Sequence, residues 1–138
     1  MADRLQLDII TPERGLLSEP VDAVTLPGLN GELGILPGHT PLISQLRTGV
    51  LSYTQGGATK RLLVSGGFVE VSDDRVAVLA ELAERPEEVD ATRARTERDQ
   101  AEKLLNAATG SDDETERART QFERASARLL IAGDGSTK

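Results

Sequence analysis

Two patterns of hydrophobic and polar residues divide the chain. In the first, apolar residues form short runs, and Leu5, Leu7 and Ile9 alternate with polar residues as they do on a half-buried β-strand. Further runs with the same character occupy residues 21–26, 33–36, 42–46, 50–54, 61–64, 68–72 and 75–80. Many short strands at regular spacing predict an antiparallel β-sandwich or a flattened barrel.

Pairs of turn-forming residues separate these runs, and they include Pro27-Gly28, Asn30-Gly31 and Pro37-Gly38. Gly66-Gly67 also falls between two runs, so we expect a hairpin turn there. No segment with helical periodicity interrupts this half of the chain. A parallel sheet with crossover helices is therefore disfavoured.

The second pattern begins after Arg85-Pro86, where alanine, glutamate and arginine replace glycine and the β-branched residues. Residues 90–108 predict one helix, with Asp90 as its N-cap or as an acidic residue of its first turn. A break at residues 109–112 precedes a second predicted helix over residues 113 to about 132, which Gly133 ends. Because a short loop makes helices antiparallel neighbours, we predict a β-sandwich domain over residues 1–86 and a helical hairpin over residues 87–138.

The apolar faces of the two predicted helices consist largely of alanine. The first face contains Ala94, Ala101, Leu104, Leu105 and Ala108, and the second contains Ala118, Phe122, Ala125, Leu129 and Ala132. Since burial stabilises by roughly 25 cal/mol per Å² of apolar surface, these small side chains hold the hairpin weakly. We expect the hairpin to detach or rearrange reversibly.

The overall composition excludes several classes of function. A net charge of −7 and only three aromatic residues disfavour nucleic-acid binding, which needs clustered basic residues and stacking platforms. The absence of cysteine excludes disulfides, thiolate catalysis and cysteine-ligated zinc. The first residues contain no apolar run of signal-peptide length, and no later run is long enough to span a membrane. We expect a soluble, cytosolic protein that meets a membrane only through another protein.

The segment GELGILPGHT, residues 31–40, holds the only histidine and is the place to look for a phosphate loop or a catalytic base. It lacks the spacing of nucleotide-binding glycine motifs, and no helix follows it. His39 with Glu32 could form an acid–base pair, but the alternative is a turn histidine satisfied by backbone or water. We favour the turn histidine, and we predict neither catalytic residues nor a metal site.

Charged residues of the two predicted helices allow two interpretations. Asp90 and Arg93 share one face of the first helix, and Arg124 and Arg128 share one face of the second. If these faces meet, three guanidinium groups converge beside one carboxylate, an arrangement suited to phosphate recognition. The alternative is a set of solvated ion pairs with Glu97, Glu123 and their neighbours, and spacing alone favours this alternative.

Together these segments resemble one family, the epsilon subunits of bacterial and chloroplast-type F-type ATP synthases. The resemblance covers almost the whole chain and is carried, in order, by TPERGLLSEPVDAVTLPGLNGELGILPGHTPLISQLRTGVL, SGGFVEV, VLAE and VDATRA. It implies a β-sandwich followed by two helices, in a non-catalytic subunit of the rotary central stalk. The sandwich would bind the gamma subunit and touch the ring of c subunits, with Glu32 and His39 as contact residues.

The same resemblance implies a regulatory role for the hairpin. Folded down, it would permit turnover; extended, it would reach the alpha/beta catalytic head and inhibit ATP hydrolysis. The complex would hold the chain at the cytoplasmic face of the bacterial plasma membrane, without direct membrane insertion.

Some members of the family bind ATP between the two helices, so the resemblance implies ATP as a regulatory ligand here and no required cofactor. The matching positions here are Glu84, Val89, Asp90, Arg93, Ala94, Arg124 and Arg128. Val89 replaces the usual Ile or Leu, and Gln100 occupies a position where the family carries a basic residue. The remaining alternatives are a free-standing ATP-binding sensor that uses the hairpin arginines and an acid–base hydrolase that uses Glu32 and His39.

Overall fold

Eight β-strands followed by two α-helices form the fold in the computed structural model, which describes residues 4–107 and 111–136. The strands are β1 (Leu5–Ile10), β2 (Gly15–Val21), β3 (Ala23–Gly28), β4 (Gly31–Ile35), β5 (Leu42–Gln45), β6 (Gly49–Gln55), β7 (Ala58–Ser72) and β8 (Arg75–Glu84). The helices are α1 (Ala91–Ala107) and α2 (Asp112–Ile131). The predicted fold class, a β-sandwich followed by a helical hairpin, is confirmed.

The strands pair in the order β2-β1-β8-β7-β6-β3-β4, and β5 pairs separately with β7. The pairs are antiparallel except for β1 and β8, which run parallel with Leu7 opposite Val76. A parallel pair needs a long connection, and here the whole of the intervening sandwich provides it. The inward-facing side chains form one core of Leu, Val, Ile and Ala residues together with Tyr53, in which Leu7, Ile9 and Val78 have no exposed surface.

Two details of the strand prediction were incomplete or wrong. Strand β2 was missed because Ser18, Glu19 and Pro20 interrupt its apolar residues, but it pairs along β1 at the edge of the sheet. The predicted hairpin turn at Gly66-Gly67 was wrong. Both glycines have positive φ, 70° and 97°, yet β7 continues through them and keeps its register with β8.

These two glycines bend β7 instead of reversing it. Before the bend β7 pairs with β6, and after it β7 pairs with β5, while β8 follows both parts. A Cβ atom at Gly67 would collide with the backbone of Leu79 and Ala80. Glycine is therefore needed for both its conformation and the close approach of β8.

Of the helix ends, only the cap at the start of α1 was predicted from the sequence. The Asp90 carboxylate accepts a hydrogen bond from the Arg93 amide at 3.1 Å, which makes Asp90 the N-cap of α1. Ser111 and Glu114 form a reciprocal capping box at the start of α2. After Ile131 the chain continues as a 3₁₀ turn, Ala132–Ser136, so Gly133 lies inside this turn. The predicted end of the first helix at Ala108 and the break at Thr109-Gly110 lie outside the described residues.

The hairpin is held by two small apolar contacts. Between α1 and α2 lies an alanine seam, whose fully buried members are Ala94, Ala101, Ala118 and Ala125. The C-terminal part of α2 docks on the sandwich through Ala127 and Ile131, which pack against Leu63 of β7. The alanine seam confirms the thin apolar faces expected from the sequence, but Leu104 of the predicted face is 63% exposed, and the docking residues Ala127 and Ile131 were not predicted. Neither helix, over the parts that the structure describes, is long and apolar enough to cross a membrane.

Candidate functional site

The best-defined polar cluster lies where α2 meets the end of β8. Arg128 donates two hydrogen bonds to the Glu84 carboxylate, at 2.8 and 2.9 Å, and its third nitrogen lies 3.5 Å from Glu97 of α1. The Arg128 and Glu84 side chains are each only about one fifth exposed. Their bidentate hydrogen bonds raise the pKa of Arg128 above its ordinary value. The pair therefore links the hairpin to the sandwich by a partly buried ionic contact.

Glu97 also joins Arg128 to Arg93. The Arg93 Nε donates to Glu97 at 3.2 Å, one turn along α1, and the Arg93 side chain is otherwise exposed. Asp90 is occupied in capping α1, so it does not receive the converging guanidinium groups. Arg93 and Arg128 thus form ion pairs with Glu97, as the second interpretation of the sequence expected. The Arg128 pairs are partly buried instead of fully solvated.

Arg124 contacts a different part of the sandwich. Its Nε donates a hydrogen bond to the Ser65 hydroxyl at 2.8 Å, and its terminal nitrogen lies 3.9 Å from Glu81. Ser65 is a buried polar residue of β7 and also lies 2.6 Å from the Thr48 hydroxyl. A serine inside the apolar run RLLVSGG was the only sequence signal for this contact, since buried polar groups need partners.

Two cavities adjoin this cluster and share the side chains of Glu97 and Arg128. The smaller, about 220 Å³, is lined by Glu84, Glu88, Val89, Asp90, Arg93, Glu97 and Arg128. The larger, about 640 Å³, is lined by Glu97, Asp113, Glu116, Arg117, Thr120, Gln121, Arg124 and Arg128. Carboxylates outnumber arginines in the smaller cavity, whereas three of each line the larger one. Electrostatics therefore favours the larger cavity for an anionic ligand.

Val89 and Ala94, the two apolar residues among the predicted ATP-binding positions, pack against other apolar side chains. Val89 packs against the cluster of Leu63, Ala127 and Ile131 under the hairpin. Ala94 belongs to the alanine seam. The structure thus places Glu84, Val89, Asp90, Arg93 and Arg128 around one cavity and Arg124 in the next.

A second ionic link ties the end of the hairpin to the sandwich, and the sequence did not predict it. Arg61 of β7 makes hydrogen bonds of 2.8 and 3.0 Å to the Asp134 carboxylate, and it also donates to the Leu130 carbonyl at 2.7 Å. These bonds lower the pKa of Asp134 and raise that of Arg61. The partners lie far apart along the chain, so no local pattern marks them.

The face of the sandwich outside the hairpin contact carries a row of exposed apolar residues. Ile10, Leu79 and Phe68 are register partners across β1, β8 and β7, and they are 45%, 50% and 50% exposed. The three side chains form an exposed apolar row on the sheet. The sequence placed these residues on strands but not side by side.

Glu32 and His39 do not form an acid–base pair. Glu32 is exposed and lies opposite Pro27 near the start of β4, whereas His39 follows the far end of that strand. The His39 Nδ1–H donates to the Thr40 carbonyl at 2.7 Å, which confirms the expected turn histidine. The same loop exposes Leu36 to 64%. Among the described residues no group of carboxylates and imidazoles is arranged to hold a metal ion.

The fold is a β-sandwich with a helical hairpin docked on it by ionic and small apolar contacts. The family described as "ATP synthase, Delta/Epsilon chain, beta-sandwich domain" matches residues 4–86. The family described as "ATP synthase, Delta/Epsilon chain, long alpha-helix domain" matches residues 87–133. The chain belongs to the delta/epsilon chain family of ATP synthases.

Known proteins agree with this assignment. The ATP synthase epsilon chain of Nitratidesulfovibrio vulgaris is 46% identical over 97% of this chain and 99% of its own length. That of Desulforamulus reducens is 44% identical over 96% and 99%. Among solved structures, a chain of the Euglena gracilis mitochondrial ATP synthase superposes with a TM-score of 0.80 at 25% identity, over 96% of this chain and 82% of its own. A chain of the Tetrahymena thermophila enzyme shares the fold, with a TM-score of 0.57 at 14% identity and 96% coverage of both chains.

Proposed function

We propose that this chain is a non-catalytic rotor subunit of an F-type ATP synthase, which links the gamma subunit to the ring of c subunits. The family assignment over residues 4–133 carries this proposal. The similar Euglena gracilis chain comes from an assembly that contains F1 and a c-ring. The subunit would then lie at the cytoplasmic face of the bacterial plasma membrane, attached through its partners.

Two surfaces of the sandwich suit these two partners. The apolar row of Ile10, Leu79 and Phe68 offers gamma a continuous hydrophobic contact. The 36–40 loop offers the c-ring an exposed leucine and His39, and Glu32 at the start of β4 extends this contact along the strand. Residues 1–86 would thus form the partner-binding domain.

Copurification tests the rotor role. The wild-type chain should bind gamma stoichiometrically, and Phe68→Glu should lose most of this binding because it puts a charge into the apolar row. Leu130→Glu is the matched control, since Leu130 is 63% exposed but lies on the hairpin. Failure of the wild-type chain to bind gamma under any condition would overturn the rotor role. Equal binding by Phe68→Glu would overturn only the assignment of the surface.

The hairpin, residues 87–138, is the proposed regulatory domain. Its docking depends on the Arg128–Glu84 and Arg61–Asp134 links and on the small apolar contact of Ile131. Undocked, it would extend towards the alpha/beta head and restrain ATP hydrolysis. Because Arg61→Ala weakens the docked state, complexes with this variant should hydrolyse ATP more slowly. Arg119→Ala, which removes only an ion pair with Glu116 inside α2, should leave the rate unchanged.

ATP is the proposed regulatory ligand of this hairpin, bound without hydrolysis. The larger cavity supports this proposal, because Arg117, Arg124 and Arg128 line it and its volume is about 640 Å³. In this structure the Arg128 guanidinium forms ion pairs with Glu84 and Glu97. A phosphate would have to replace these carboxylates, which predicts weak affinity.

Calorimetry with ATP tests the ligand separately from the rotor role. Binding to the wild-type chain should be lost in Arg128→Ala and retained in Arg119→Ala. No heat with the wild-type chain would remove ATP sensing and leave the rotor proposal intact. A free-standing ATP sensor is the alternative function, and it would show the same heat but no association with gamma.

A further inference from the structure

The 36–40 loop contains a β-turn whose central peptide group is rotated. The His39 amide donates to the Leu36 carbonyl at 3.1 Å, Pro37 precedes Gly38, and Gly38 has a φ of 86°. These features define a type II turn, in which the amide between the two central residues is rotated away from its orientation in a type I turn. The turn itself provides no acceptor for the Gly38 N–H.

Asp74 provides that acceptor from another part of the chain. Its carboxylate accepts a hydrogen bond from the Gly38 N–H at 2.7 Å, although the residues are 36 positions apart. The backbone carbonyl of Asp74 accepts a hydrogen bond from the backbone N–H of Gln6 at 2.9 Å. Asp74 therefore connects the 36–40 loop to the β7–β8 turn and to β1. A carboxylate acceptor makes such a bond stronger than one between neutral groups.

The conformation of Asp74 suggests that this contact has a purpose beyond turn formation. Asp73 and Asp74 form the two-residue connection between Ser72 and Arg75, and their φ values are 50° and 61°. They are the only residues other than glycine with positive φ in the part of the chain that the structure describes. Such a hairpin turn favours glycine, above all at its second position. Aspartate is less favourable than glycine in this backbone conformation. A residue kept in an unfavourable conformation points to a functional constraint.

We infer that Asp74 is a positioning residue for the rotor contact, which holds the Leu36–His39 turn in the conformation that meets the c-ring. The inference rests on the proposed function for its partner, but the geometry that it assigns belongs to this chain alone. Without the Asp74 carboxylate the Gly38 N–H loses this hydrogen bond, and the central amide is held less firmly by the remaining His39–Leu36 hydrogen bond. The relative orientation of Leu36 and His39, which lie on either side of that amide, is then less firmly fixed.

Two matched variants separate positioning from turn stability. Asp73→Gly and Asp74→Gly relieve the same backbone conformation, but only Asp74→Gly removes the carboxylate from Gly38. Hydrogen exchange followed by NMR should show the Gly38 amide exchanging about tenfold faster in Asp74→Gly, the loss expected for one charged hydrogen bond. It should be unchanged in Asp73→Gly. Asp74→Asn, which tolerates positive φ and keeps an acceptor oxygen, should restore part of the protection.

Binding of the full chain to a detergent-solubilised complex of gamma and the c-ring is the second measurement. Asp74→Gly should bind about tenfold more weakly than the wild-type chain, whereas Asp73→Gly should match it. Asp73→Gly should unfold at or above the wild-type temperature, since glycine suits the turn, whereas Asp74→Gly should unfold close to the wild-type temperature, because relief of the backbone offsets the lost hydrogen bond.

Unchanged exchange at Gly38 in Asp74→Gly would overturn the positioning role. Faster exchange with wild-type binding would show that the turn geometry does not serve docking, and this too would overturn the inference. If the wild-type chain itself fails to bind the complex, the proposed rotor function fails, and the exchange data alone decide whether Asp74 orders the turn.

Discussion

Replacing Ile131 by alanine should undock the hairpin without unfolding the sandwich. Ile131 has no exposed surface and is the largest side chain that α2 contributes to the contact with Leu63. The substitution removes three carbon atoms, or about 2.4 kcal/mol at roughly 0.8 kcal/mol for each buried methylene. With a contribution from the cavity left behind, the total is about 3 kcal/mol. This corresponds to an increase of roughly 150-fold in the undocked population.

Native-state hydrogen exchange measures this change residue by residue. Amides of α2 that exchange through undocking should do so roughly 150-fold faster in Ile131→Ala, and already in the wild-type chain they should be less protected than amides of core strand β1, such as Leu7. Leu130→Ala is the control, because the neighbouring Leu130 is 63% exposed and its loss should cost less than about 0.5 kcal/mol. Equal protection of α2 and β1 in the wild-type chain would refute the reasoning, since hairpin and sandwich would then unfold as one unit. No acceleration in either would show that the apolar contact does not hold the hairpin.

Two further predictions concern the sandwich and its junction with the hairpin. Gly67→Ala should lower the free energy of unfolding by at least about 2 kcal/mol, because the added Cβ would collide with the Leu79 backbone and the residue has a positive φ. Thermal melts measure this change. Gly34→Ala is the control and should not lower the free energy of unfolding in this way, because the space around Gly34 is open. Hydrogen bonds from Arg14 hold the pKa of Glu88 below its ordinary value of 4.5, so their stabilisation is complete above pH 4.5 and is lost as the pH falls through the lower folded pKa. Urea midpoints between pH 7 and pH 3 should therefore fall less in Arg14→Ala than in the wild-type chain.

Local patterns were sufficient for most of the secondary structure. Alternation over Leu5, Leu7 and Ile9 marked β1, and the acidic cap at Asp90 marked the start of α1. Patterns failed where tertiary contact overrides local preference. Gly66-Gly67 has the composition of a turn, but the neighbouring strand β8 holds it in a continuous bent strand.

The candidate site was likewise predicted in part from local patterns, and the rest depended on tertiary contacts. Helical spacing placed Arg124 and Arg128 on one face, and that face does turn towards the sandwich. Spacing could not show that Arg128 binds Glu84 while Arg124 binds Ser65, because each partner lies more than 40 positions away along the chain. An ionic contact depends on which side chains the fold brings within about 4 Å, and that distance is not encoded in any single element.

The sequence by itself determined the order of the elements, a sandwich with an aliphatic core, an alanine-faced hairpin and the family to which the chain belongs. Periodicity, capping residues and glycine placement are local properties, so they can be recognised without the fold. The tertiary structure alone decided that β1 and β8 run parallel, that Arg61 holds Asp134, and that Asp74 reaches Gly38. Each of these contacts joins residues far apart in sequence, and their energies arise only after the core has brought the strands together.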